Sequence, residues 1–84
     1  MMYKLYTLDN QFIRETNICP DNFTGIIEYT SGSKYWIVND KHHRLDGPAI
    51  EHYSGSKYWY IDNIKCAKEQ HKLLHSIMKL KGLL

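Results

Sequence analysis

The sequence predicts a mainly β domain: an antiparallel β-meander of tandem hairpins, about six short strands in all, capped by one C-terminal amphipathic helix. Three observations predict it. The fifteen residues Ile26 to Asp40 return 23 positions later as Ala49 to Asn63, both copies carrying Ser-Gly-Ser-Lys-Tyr-Trp. Within each copy, apolar and polar residues alternate with a period of two about the Ser-Gly pair. From residue 67 onward the period lengthens to 3.6, which is that of a helix.

All 84 residues read as a single domain. A chain this short removes only about 60–65 % of its unfolded surface from water, so its core needs bulky side chains; seven Tyr, two Trp and two Phe supply them. Residues 1–15 read as a degenerate half repeat, because Lys4 to Asn10 resembles Lys34 to Asp40, the second strand of the unit with its exit turn. Residues 16–24, with Pro20 among Asn and Asp, read as a loop. Repeat 1 covers 25–48 and repeat 2 covers 49–65. Residues 66–84 form the capping helix and tail.

Taken as a two-residue turn, Ser31-Gly32 puts Ile27, Tyr29, Trp36 and Val38 on one face and Ile26, Glu28, Tyr35 and Ile37 on the other. The second copy divides the same way, with Ile50, His52, Trp59 and Ile61 against Ala49, Glu51, Tyr58 and Tyr60. A bulged turn would shift this pairing by one residue. Because Trp is the largest side chain and recurs at one position of the unit, Trp36 and Trp59 are expected in the core. Tyr35, Ile37, Tyr58 and Tyr60 are then left as an outward stripe.

The helix is expected over about 67–81, with Cys66 and Glu69 at capping-box spacing and Gly82 near its end. Leu73, Leu74, Ile77, Met78 and Leu80 gather on one side and are expected to close the last hairpin. Lys68, Lys72, Lys79 and Lys81 make the tail basic. Residues 65–84 hold five Lys against Glu69, whereas residues 1–64 hold six Lys/Arg against eight Asp/Glu, and the net charge is only +2.

No apolar run approaches the roughly 18–20 residues of a membrane span, so no membrane contact is expected. Cys19 and Cys66 have no paired spacing and the N-terminus has no secretory pattern, which leads to an expectation of reduced thiols and a cytoplasmic chain. His71 and His75 stand at i,i+4, with Cys66 or His52 as a conceivable third metal ligand. The Glu of a zinc-hydrolase helix is missing between them, so no metal or cofactor is expected. His43, Arg44 and Asp46 bring a base, a cation and a carboxylate together without a nucleophile, and Asp46-Gly47-Pro48 is turn chemistry. Arg44 is expected to bridge to Asp46 or Glu51 by its planar fork, giving a structural motif and no enzyme.

The frame His43-Arg44-x-Asp46-Gly47-Pro48-Ala49, followed by Glu51, a Gly turn and Trp59-Tyr60, resembles MORN-like repeats of bacteriophage and large-virus proteins. The resemblance covers roughly residues 22–75. It implies a hairpin-repeat scaffold in which Trp36, Trp59, His43, Arg44, Asp46, Gly47 and Pro48 are structural. In this chain Asp40 and Asn63 occupy turn positions where Gly is usual, which Asn and Asp tolerate. The second exit lacks the His-Arg and Asp-Gly-Pro residues, so the array stops there.

A domain this small has no room for both a core and a deep pocket, yet it offers a patch of the usual size, roughly 800 Å² per partner. The expected function is therefore non-catalytic protein binding through Tyr35, Ile37, Tyr58 and Tyr60 with Lys34 and Lys57 beside them, and no small-molecule substrate. By the resemblance, the partner is a host protein that a small phage-type chain inhibits in the host cytoplasm, as an anti-CRISPR or other anti-defence protein does. Two alternatives follow from the same residues. Nucleic acid suits the lysine-rich helix with stacking tyrosines, and pairing of edge strands would give a homodimeric scaffold.

Overall fold

Short runs of β-branched and aromatic residues, punctuated by Gly, Asn and Asp, fold in sequence order into eight strands and one helix among the described residues. These are β1 (Tyr3–Tyr6), β2 (Phe12–Thr16), β3 (Gly25–Tyr29), β4 (Lys34–Val38), β5 (Lys41–His42), β6 (Ile50–Glu51), β7 (Lys57–Ile61), β8 (Ile64–Cys66) and α1 (Lys68–Leu80). The computed structural model describes residues 2–18 and 20–82. The expected thiol of Cys19 and the last two tail residues, Leu83 and Leu84, lie outside the described residues.

All strand pairs are antiparallel, in the order β2-β1-β3-β4-β6-β7-β8, with β5 also on β4. β5 and β6 lie end to end along β4. Lys41 and His42 pair with Val38 and Ile37, and Ile50 and Glu51 pair with Tyr35 and Lys34. The intervening residues 43–49 interrupt this broken strand, still tied to both neighbours: the His43 N–H donates to the Trp36 carbonyl and the Arg44 N–H to that of Tyr60.

The in-repeat turn decides which residues face inward. The Tyr29 N–H donates to the Ser33 carbonyl and the Gly32 N–H to the Tyr29 carbonyl, so three residues, 30–32, make the loop and Gly32 takes φ 99°. Repeat 2 copies this through His52, Ser56 and Gly55 (φ 96°). The expected two-residue turn is thus replaced by the bulged one, and a shift of one residue exchanges the face of every partner side chain. Ile27 stands opposite Tyr35, Ile26 opposite Trp36, and Ile50 opposite Tyr58.

This corrects the expected inside and outside. Leu5, Ile27 and Ile37 form the buried cluster, with Tyr3, Phe23, Tyr29 and Tyr35 packed on it. Tyr35 and Ile37 belong to this interior, Ile37 being only 8 % exposed. Trp36 lies on the reverse face with the buried Ile26, and Trp59 on that same face; both indoles are half-buried. Lys34, opposite Glu28, and Lys57, opposite Glu51, also lie on the indole face and so do not flank the tyrosines.

The exit turns behave as expected. Asn39-Asp40 and Asp62-Asn63 have φ between 48° and 68° and close two-residue hairpins, Val38 facing Lys41 and Ile61 facing Ile64. The N-terminal hairpin differs from its sequence likeness. The Thr7 N–H donates to the Gln11 carbonyl and Asn10 takes φ 74°, which is the geometry of the in-repeat turn and not of an exit turn. Of the expected loop 16–24, Thr16 instead ends β2, and the described residues among 17–24 carry no strand. Gly25, which opens repeat 1, has φ 153°, and a Cβ there would lie 2.3 Å from the Tyr6 carbonyl oxygen. No side chain fits.

Candidate functional site

Arg44 is the hub of the residues that link the two copies. Its guanidinium lies 3.9 Å from the centre of the Trp36 ring, Nε donates to Asp46 at 3.0 Å, and Nη1 donates to the Pro48 carbonyl at 3.1 Å and to Glu51 at 3.4 Å. Both expected carboxylate partners are therefore engaged by one planar fork. A Cβ on Gly47 would meet Arg44 Cζ at 2.9 Å, so Gly47 leaves the room that the guanidinium fills. His43 Nδ1 accepts the Asp62 N–H at 3.1 Å, pinning the second exit turn to the linker. His43, Arg44 and Asp46 each use a polar atom to hold backbone or side chains in place.

The tyrosine face is a continuous ring ladder. Centroids run 4.9 Å from Tyr3 to Tyr29, 5.0 Å to Tyr35, 5.8 Å to His42 and 5.4 Å to Tyr60. Lys65 Nζ lies 4.9 Å from the centre of Tyr58. Tyr58 and Tyr60 are half-buried, Tyr60 against His42 and Tyr58 beside Lys65, and they share this face with the buried Ile37 instead of standing on a face opposite the core. His42 Nδ1 is buried without a hydrogen-bond partner among the described residues, and burial lowers the imidazole pKa from its ordinary value.

The C-terminal helix starts one residue later than its expected capping box. Gln70 Oε1 accepts the Ala67 N–H at 3.2 Å, while Cys66 Sγ turns to the Ile64 carbonyl at 3.4 Å. The larger difference is the direction of its faces. His71, 3 % exposed, has its Nε2 hydrogen-bonded to the Arg44 carbonyl, and His75 and Met78, four and seven residues on, are half-buried on the same side. Lys68 Nζ lies 5.9 Å from the centre of the Trp59 ring, and Lys72 lines the same shallow groove as Trp59, His71 and His75.

Leu73, Leu74, Ile77 and Leu80, which were expected to close the last hairpin, point away from the sheet instead. Their exposures run from 37 % at Ile77 to 88 % at Leu80. The cause is local chemistry. Around Arg44, Gly47 and Trp59 the sheet offers an open carbonyl and an indole, which suit a histidine and lysine stems better than leucines. Beside the outward leucines, Ile64 is 69 % exposed, and Ile64, Lys65, Cys66, Gln70, Leu73 and Leu74 line a shallow groove of about 350 Å³.

The expected residues thus fall into three places. Trp36, His43, Arg44, Asp46, Gly47 and Pro48 come together as a brace, Tyr35, Ile37, Tyr58 and Tyr60 share the ring-ladder face, and the helix lysines lie behind the opposite face. Lys34, Lys57 and the helix lysines, which the nucleic-acid alternative joins to the tyrosines in one surface, are separated from them by the sheet, while Lys65 of the tail lies on the tyrosine face. The edge strands are poor pairing surfaces: β8 has three residues with Lys65 at its centre, and β2 carries Arg14 and Glu15. Sequence periodicity identified the apolar side of α1 but not its outward aim; the buried-type spacing of His71, His75 and Met78 was the available signal.

No group of three His, Cys, Asp or Glu side chains gathers to hold a metal ion among the described residues, and no helix there is long and apolar enough to cross a membrane. Comparison with protein-family models, with curated proteins and with solved structures found no match to this chain.

Proposed function

We propose that this chain is a non-catalytic protein-binding module whose docking surface is the outward side of α1 together with Ile64. The observation that carries the reading is the exposure of Leu73, Leu74, Ile77 and Leu80 on a helix already held to the sheet through its other side. Apolar side chains clustered on one exposed helix face mark a protein contact, read through anchors at i, i+1, i+4 and i+7. The proposal keeps the binding class expected from the sequence and moves the site from the tyrosines to the helix. The host-directed use implied by the MORN-like resemblance is one role for such a module.

Substituting Leu73→Glu and Ile77→Glu tests it. Both positions face solvent, so the melting temperature is expected to hold within about 2–4 °C. A tagged chain, treated with nuclease and recovered from cells that also produce an untagged copy, is expected to retain a stoichiometric polypeptide that the double variant loses. Equal recovery by both chains would remove the helix as the docking surface.

A further inference from the structure

Resting on that reading of the α1 face, we infer that its occupant is a second copy of this chain, packed helix against helix, antiparallel, about a two-fold axis level with His75. The first argument is the placement of charge. At 100° per residue, Lys68, Lys72 and Lys79 lie on the flank turned toward the sheet, as the contact of Lys68 with Trp59 also shows. The outward side carries Glu69 in its first turn and Lys81 just past its last, with apolar residues between them.

Antiparallel pairing about His75 brings Glu69 of each copy to the level of Lys81 of the other, across the apolar strip, twice, and sets Leu73 of each opposite Ile77 of the other. A parallel pair would put Glu69 against Glu69 and Lys81 against Lys81, which repel. Opposed helix directions also bring each positive N-terminus near a negative C-terminus. One surface therefore satisfies the requirement of an isologous contact, that it complement itself.

The second argument is area. From their exposures, Leu73, Leu74, Ile77, Leu80 and Ile64 present roughly 500 Å² per copy, and Glu69, Gln70, Ser76 and Lys81 add a polar rim, approaching the roughly 800 Å² per partner of a stable interface. A lipid surface fits less well. Interfacial helices flank their apolar side with cations, whereas here the lysines of the helix body stand toward the sheet and Glu69 stands at the rim.

Sedimentation equilibrium of the full chain tests the inference. The expected result is a monomer–dimer equilibrium in the micromolar range, with Ile77→Glu raising the dissociation constant about 100-fold or more, since each substitution is met twice across the axis. Glu69→Lys alone and Lys81→Glu alone are each expected to dissociate, and an equimolar mixture of the two single variants is expected to re-form dimers. That rescue requires folded chains, so it separates loss of contact from loss of fold.

A wild-type chain that stays monomeric at several hundred micromolar overturns the second copy as occupant, and so does a mixture of the charge variants that fails to pair. Monomers that float with vesicles of anionic phospholipid, or that hold a different polypeptide until Leu73→Glu is introduced, overturn it while leaving the α1 face as the docking surface. Monomers indifferent to Leu73→Glu in both assays remove that reading as well.

Discussion

The two copies share the run Ser-Gly-Ser-Lys-Tyr-Trp and the same three-residue turn, yet they are held by different means. Repeat 1 lies inside the sheet, between β1 and the broken strand of β5 and β6; its Trp36 is covered by the Arg44 guanidinium at 3.9 Å and its Ile37 is buried. Repeat 2 lies near the sheet's end. Its Trp59 has the more distant Lys68 amine at 5.9 Å and lines a shallow groove with Gly47 and the flank of α1, and Tyr60 stands where repeat 1 has Ile37. The comparison teaches that a hairpin sequence specifies turn and alternation, while the neighbour decides how deeply each face is buried.

The exit turns differ in the same sense. Asp40 accepts the N–H groups of Asn22 at 2.7 Å and Phe23 at 3.0 Å, clamping repeat 1 to the preceding loop. Asn63 accepts that of His42, at 2.8 Å, clamping repeat 2 to repeat 1. Both residues hold positive φ, so each combines a turn role with a tie to the segment before it.

If repeat 1 is the rigid half, the most damaging small change lies at its entrance. Gly25→Ala places a methyl 2.3 Å from the Tyr6 carbonyl and 2.7 Å from the Phe23 ring, and is expected to cost about 4 kcal/mol or more, read as loss of the cooperative urea transition. Gly55→Ala, with open space around its Cβ, carries only the strain of its positive φ, about 1–2 kcal/mol.

Next comes the cover over each indole. Arg44→Ala uncovers Trp36 and releases Asp46, Glu51 and the Pro48 carbonyl, and is expected to cost about 2–4 kcal/mol by urea denaturation. Lys68→Ala, on an exposed stem, is expected to cost under about 1 kcal/mol. Equal losses would show the two copies to be equivalently supported and would break the contrast.

The exit turns sharpen it on a finer scale. Glycine keeps the positive φ and removes only the side-chain acceptor, so Asp40→Gly is expected to destabilise by about 1–2 kcal/mol and Asn63→Gly by about half as much. Thermal melts of the two single variants decide the order.

The smallest effect is one of pH and belongs to the seam between the copies. His42 sits between Tyr35 and Tyr60, and burial holds its pKa below the unfolded value of about 6.5. The unfolded chain therefore binds the proton more readily, and stability falls as pH drops below about 6.5, down through the folded-state pKa. Above that window the residue contributes no slope. Melts between pH 7.5 and 5 are expected to show the decline, and His42→Phe, which keeps the ring stacking, is expected to flatten it.

Much of this was legible beforehand because the relevant interactions are local or duplicated. The repeat itself, the Asn-Asp and Asp-Asn turns, the reach of Arg44 to Asp46 and Glu51 over two and seven residues, and a helix ending near Gly82 all follow from short-range chemistry. The outward tyrosines were not, because turn length sets strand parity, and Ser-Gly serves a two-residue and a bulged turn alike. Nor was the aim of the leucines on α1, since periodicity marks an apolar side without saying what that side meets.

The sequence by itself determined that this protein is a pair of duplicated antiparallel hairpins followed by an amphipathic helix, with turns placed where Gly, Asn and Asp accept positive φ. Tertiary structure alone decided which side of each element is inside. One added loop residue sent Tyr35 and Ile37 inward and the indoles to the reverse face, because side chains along a strand alternate. On the sheet side of α1, His71 bonds the Arg44 carbonyl 27 residues earlier and Lys68 and His75 pack about Trp59, leaving its leucines to face water. The first outcome rests on a turn length that Ser-Gly leaves open and the second on partners distant in the chain, and no local period encodes either.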